Sequence, residues 1–179
     1  MVTSFVYNYA VAGSNLAALY FIIIMKLRSP LLLCAVVVPM IGSVCYHLSE
    51  TRHELPGIYP LSLYTDELLL LDRIGVFVAT ALLWRGMLVL RQSRLCLAVA
   101  GIGFMCLFVS ERDLIADAVG VRLHVGLLEY APLHCVWHCC AFYCLVRAGV
   151  AQSQQVGARA VPRLSLRSPG VVLCALLVV

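Results

Sequence analysis

The chain has 179 residues, of which 63% are hydrophobic and 12% charged, with a formal net charge of +4 and a mean hydropathy of +0.97. Soluble domains lie nearer half apolar and a quarter charged, so this composition excludes an ordinary soluble fold, and so mild a charge gives no reason to expect a nucleic-acid partner. Long apolar runs without strand-like alternation argue against a β-barrel, which leaves an all-α integral membrane helical bundle.

The first apolar run, Phe5–Met25, is long enough to cross a ~30 Å hydrocarbon core at ~1.5 Å per residue. A cleaved signal peptide carries its positive charges before the apolar stretch. Here Lys26 and Arg28 follow it, so a retained helix is expected. A second span is expected over residues 31–47, started by Ser29-Pro30. The third covers 67–89, with Thr65 or Asp66 as its N-cap. The fourth covers 95–109 and is short; the fifth covers 133–150.

Residues 1–150 thus form one transmembrane bundle of about five helices, and 151–179 form a basic tail. Residues 151–168 are polar and lack apolar period, which predicts a mobile segment. The closing run 170–179 is too short to cross as a helix. Nine cysteines are present, an odd count without a C-x-x-C pair. All but Cys174 lie in or beside apolar runs, where free cysteine packs as a small hydrophobe.

With five spans, alternate connections share a side. One side collects Lys26, Arg28, Arg85, Arg91, Arg94, Arg147, Arg159, Arg163 and Arg167; the other collects all nine acids and only Arg52, Arg73, Arg112 and Arg122. Nine basic residues against four makes the acid-free side cytoplasmic. A multi-pass protein is predicted, in the plasma membrane or an endomembrane, with a lumenal or extracellular N-terminus and a cytoplasmic C-terminus.

Depth then aligns four polar residues. His47 ends the second span, Asp72 lies near the start of the third, and His134 and His138 open the fifth, all on the non-cytoplasmic side. Intramembrane ionisable groups are costly and functional by default. In H-x-x-x-H, His134 and His138 share one helical face about 6 Å apart along the axis. Two such imidazoles can share one ion and His47 could supply a third nitrogen, which with an open fourth position makes a catalytic-type zinc site. Ser43, four residues before His47, shares its face. Asp72 could orient water, act as general base or hold a ligand. The plainer readings are a helix-end histidine in interfacial packing, a serine bonded back to its own helix, and an aspartate paired with Arg73 or capping its helix. His53 and His124 fall in predicted loops and are set aside. Tyr46, Tyr64, Tyr130 and Trp137 suit an interfacial aromatic belt. Asn15 is expected to bond a neighbouring helix, and Gly75 and Gly101 to allow close helix approach.

Ser43-x-x-x-His47, Asp72 and His134-x-x-x-His138 together resemble the pattern of the CREST superfamily of membrane hydrolases and receptors. Ser14-Asn15-Leu16-Ala17, Ser43-Val44-Cys45-Tyr46-His47 with Glu50 after it, Pro56-Gly57, the run Asp66, Asp72 and Gly75, and His134-Cys135-Val136-Trp137-His138 are most similar to its myomaker and transmembrane-protein-8 branch. The resemblance covers about residues 14–84 and 130–147. It implies zinc held by His47, His134 and His138, with Ser43 and Asp72 supporting catalysis, and hydrolysis of a lipid amide or ester. Family members have seven helices, so five would be a reduced form that keeps parity.

Two functions follow as expectations. One is a zinc-dependent intramembrane lipid hydrolase with membrane lipids as substrates. The other is a non-catalytic membrane protein whose zinc is structural, acting in fusion, assembly or signalling, as myomaker-type proteins promote membrane fusion. A proton-relaying, transporter-like bundle is the remaining reading.

Overall fold

The computed structural model describes residues 2–53, 55–112, 116 and 126–160. Among them every regular element is helical: α1 (Val2–Ser14), α2 (Ala17–Met25), α3 (Pro30–Ser49), a 3-10 turn (Leu61–Tyr64), α4 (Thr65–Leu82), α5 (Trp84–Leu90), α6 (Arg94–Ser110) and α7 (Leu127–Ala160). Three stretches are long and apolar enough to cross a membrane, Phe5–Met25, Pro30–Ser49 and Leu128–Val156, and a fourth if α4 and α5 count as one bent span. The expected fourth crossing is the short one: α6 has 17 residues, about 25 Å at the helical rise.

The first span is not continuous. Ser14 Oγ donates to the Val11 carbonyl at 2.6 Å, and Asn15 Nδ2 donates to the Val11 and Ala12 carbonyls at 3.3 Å. These side chains compete for carbonyls the helix would use, and the backbone tightens into three-residue steps such as Leu16 N–H to Gly13 O. Asn15 therefore bonds its own helix rather than a neighbour. The interhelical amide is Asn8, whose Nδ2 donates to the carbonyls of His47 and Glu50.

The third span breaks after Leu82 and turns by 69°. Gly86 lies so close to α7 that a Cβ there would come within 1.9 Å of the Ala148 carbonyl oxygen. Gln152 of α7 serves the bend, donating to Leu82 O at 3.0 Å and accepting from Gly86 N–H at 3.2 Å. Backbone groups near a break in lipid need such partners.

At the start of α4, Thr65 is not a cap: its hydroxyl donates to the carbonyls of Ser49 and Ser62. Gly57 holds the preceding connection tight, with φ +61° and no room for a Cβ, which would lie 2.7 Å from Ser49 O. The last helix is longer than expected and continues through Ala160, so the first ten residues of the predicted mobile tail are helical; the run 170–179, Cys174 and His124 lie outside the described residues. The eight described cysteines are free.

Packing centres on α3 and α7. Helix α3 carries α1 and α4, while α7 carries α1, α2, α5 and α6. Along the α3–α4 seam, Gly75 meets Pro39 and Gly42 meets the Asp72 backbone, which brings Asp72 level with Ser43. Gly101 has open space around it, so only Gly75 does what both were expected to do. One apolar cluster gathers Ala18, Val36, Leu83 and Val146; a second gathers Val11, Leu55, Tyr130 and Ala131. The candidate site lies on the same helices between them. The outer faces are apolar too, with Ile23 and Phe77 each 75% exposed.

Candidate metal centre

His47, His134 and His138 come together although 87 residues separate the first from the second. They are 1%, 5% and 4% exposed. One nitrogen from each lies within 4.8 Å of the others, and the ring centroids are 4.7–4.8 Å apart. Zinc–nitrogen bonds of ~2.0–2.1 Å bring tetrahedral ligand nitrogens to about 3.3 Å from one another, which each ring reaches by an inward move of less than ~1 Å.

Each ring is held through Nδ1 by a different segment. Glu50, just past the end of α3, accepts from His47 Nδ1–H at 2.8 Å. That carboxylate is 1% exposed and also accepts from Tyr130 Oη at 2.8 Å and Tyr46 Oη at 3.1 Å. Burial pushes the Glu50 carboxyl above its ordinary range, and the Tyr130 hydroxyl pulls it part of the way back. Ser14, at the break between α1 and α2, lies 2.8 Å from His138 Nδ1. Because the Ser14 proton is committed to Val11 O, the serine oxygen accepts and His138 carries its proton on Nδ1. His134 Nδ1 lies 3.2 Å from Glu111 Oε1 and 3.3 Å from Ser110 Oγ. Ser110 donates to Leu107 O, so both of these partners accept from His134. Burial tends to raise the Glu111 carboxyl, but the His134 hydrogen bond and the neighbouring imidazoles outweigh it and hold the group below its ordinary range.

Protons on all three Nδ1 atoms leave three Nε2 lone pairs free, which is how an imidazole must be presented to a metal. Three lone pairs converging on one point repel one another unless a cation stands between them. The donor set fits a transition-metal ion, which imidazole nitrogen suits.

Ser43 and Asp72 are where the sequence places them. Ser43 is 5% exposed, and its hydroxyl interacts with the Asp72 carboxylate. Asp72 Oδ1 is buried without a hydrogen-bond partner. The three histidines, Ser43 and Asp72 all line one cavity of about 960 Å³, which continues past α4 and α5 and along α6 as far as Cys96. Most of its wall is apolar.

Four supporting residues escape sequence reasoning. Ser14 and Glu50 are visible only as part of a family-like string, and Ser110 and Glu111 carry no spacing signal at all. Tyr46 and Tyr130 are not belt residues: both are buried donors to Glu50. Trp137 packs edge-on against Phe104 in the cavity wall, while Tyr64 is exposed as a belt residue would be. His53, set aside from the sequence, stacks on Tyr130 at 4.0 Å and is not one of the converging histidines. No protein-family model, curated protein or solved structure matches the chain.

Proposed function

We propose that the chain is a membrane-embedded, zinc-dependent lipid hydrolase of CREST type, cleaving an amide or ester bond. The observation that carries this reading is the triple Nδ1 anchoring, which aims three imidazoles at one point in the wall of a large apolar cavity. His47, His134 and His138 hold the ion, and Glu50, Glu111, Ser110 and Ser14 fix their tautomers. Bound zinc supplies Lewis acidity toward a carbonyl or water oxygen.

The chain's own groups supply the rest. Asp72, with one carboxylate oxygen unpaired, takes the proton of the attacking water at Oδ1 and returns it to the leaving nitrogen or oxygen as the scissile C–N or C–O bond breaks. Ser43, on the histidine face of α3, interacts through its hydroxyl with the Asp72 carboxylate and orients its free oxygen toward the water. The apolar wall keeps bulk water from competing and accepts the acyl chain. Exposed apolar side chains around α2, α3 and α4 support placement in a bilayer, and the excess of basic residues on the opposite connections favours the non-cytoplasmic leaflet for the site.

Structural zinc sites are closed by four protein ligands, whereas catalytic ones keep a position open. Three converging histidines beside a cavity favour turnover over the non-catalytic reading. Zinc analysis of protein purified in mild detergent, paired with fatty-acid release from phospholipids, ceramides and glycolipids, tests this. Stoichiometric zinc lost in His134→Ala, and release lost in Asp72→Ala with zinc retained, is the expected result. Wild-type protein without zinc, or with zinc and no release from any lipid, overturns it.

A further inference from the structure

The cavity holds a second set of chemistry that catalysis does not use. Arg52, in the connection after α3, and Arg73, on α4, both line it together with the histidines. Among the described residues neither guanidinium makes an ion pair or hydrogen bond, although buried carboxylates stand nearby. Glu50 is occupied by His47, Tyr46 and Tyr130, and Glu111 by His134. Arg112, by contrast, is paired with Glu129. Arg73 feels the charge of the neighbouring Asp72 carboxylate without a hydrogen bond to it, so both guanidiniums keep their donors for a ligand, and such forked donors suit a phosphate.

The shape of the cavity gives the other half of the ligand. Its lining follows α6 from Cys96 to Glu111, just past the helix end, fifteen residue steps that span about 22 Å at the helical rise. Leu107, Phe104, Ala100 and Leu97 face it along that length. This is about three-quarters of a ~30 Å hydrocarbon core. A long acyl chain fits such a shaft and a compact soluble metabolite does not. Access is lateral: α4 packs on α3 and α6 on α7, while residues of both α4 and α6 line the cavity. The seam between them faces the surroundings with Val76 41% and Phe104 67% exposed.

We propose that the site takes a phospholipid, with its phosphate held by Arg52 and Arg73 and one acyl chain laid along α6, entering between α4 and α6. This rests on the hydrolase reading for the word substrate, but the binding claim stands on the arginines and the shaft alone. Arg52 and Arg73 share the histidine end of the cavity, while Arg91 lines its far end near Cys96. With the phosphate on the first pair, the carbonyl beside the glycerol backbone meets the histidines and the methyl end points toward Cys96; a phosphate on Arg91 would instead leave the lipid preference intact when Arg52 and Arg73 are replaced. A neutral lipid of the same chain length would fill the shaft and leave both guanidiniums unmatched.

The test uses the full chain in detergent micelles, with Trp137 in the cavity wall as reporter and Trp84→Phe as background, since Trp84 is 56% exposed. Phosphatidylglycerol with a dibrominated acyl chain, and diacylglycerol carrying the same chain, are titrated as quenchers. The phosphate lipid is expected to quench at a concentration on the order of tenfold or more below the neutral one. Arg52→Gln with Arg73→Gln should abolish that preference while zinc content and neutral-lipid quenching stay unchanged. Equal affinity for the two lipids, or a preference that survives the double substitution, overturns the proposal. So does full displacement by inorganic phosphate with no chain-dependent quenching, which would mark a site for the free anion only. Arginine-dependent binding without fatty-acid release would retain this site and sink the hydrolase reading, so the two failures are distinguishable.

Discussion

The cost of the site is concentrated on Glu50. A carboxylate buried to 1% exposure is tolerable because three donors converge on it, and its hold on His47 is a carboxylate–histidine arrangement of the kind that tunes metal sites. Replacing it with glutamine keeps the shape but removes the charge and offers one acceptor where there were two. Glu50→Gln is therefore expected to weaken zinc binding by about ten- to a hundredfold, read by competition with a chromophoric chelator. Tyr130→Phe leaves the same carboxylate short of its 2.8 Å donor and should cost about 1–3 kcal/mol of stability, with zinc stoichiometry preserved at saturating metal. An unchanged melting temperature would show that Tyr130 contributes packing alone. At this scale the three converging histidines were legible and their anchors were not. The i, i+4 spacing of His134 and His138 writes a shared face into the sequence. Glu111 reaches His134 only because α6 ends beside the first turns of α7, and that adjacency has no local trace.

Helices were legible as apolar runs, while their breaks were not, because each break comes from polar side chains that composition averages away. Asn15 and Ser14 divert carbonyls of their own helix, and the Ser14 hydroxyl is thereby free to accept from His138. A break that looks like a defect in a span is what delivers an anchor to the site. The bend between α4 and α5 depends on a partner helix instead. Gln152 serves one carbonyl and one N–H there, and it lies in the stretch whose polarity predicted a mobile tail. Gln152→Ala should cost about 1–3 kcal/mol by leaving both groups without a partner, seen as a lower melting temperature in detergent. Gly86→Ala should be worse, since its Cβ would fall 1.9 Å from the Ala148 carbonyl oxygen and a backbone must move to admit it. If Gly86→Ala melts like wild type, the α5–α7 approach is looser than described.

Across the whole molecule, the site and the described acids share one end. Helix α3 ends at Ser49, α4 begins at Thr65, α6 ends at Ser110 and α7 begins at Leu127, and the connections at these ends hold Glu50, Glu111 and the Arg112–Glu129 pair. The opposite turns hold Lys26, Arg28, Arg91 and Arg94. Five regular crossings are not needed for this polarity: three long helices and one bent pair deliver the same segregation, because α6 reaches the acidic end despite its 17 residues. The basic bias predicts that the Gln92 turn faces the cytoplasm and the Tyr59 connection faces away from it. Tyr59 is 78% exposed, so a cysteine there would be open to reagent. On sealed right-side-out vesicles, the Tyr59→Cys variant should react with a membrane-impermeant maleimide above the wild-type signal. The Gln92→Cys variant should react only after permeabilisation. The inverse pattern would reverse the orientation and move the histidine centre to the cytoplasmic leaflet, where the lipids that could reach Arg52 and Arg73 between α4 and α6 are a different population. Labelling of both variants from outside would mean that the α4–α5 bend returns the chain to the side it entered from, so that the pair acts as a re-entrant loop and not a span.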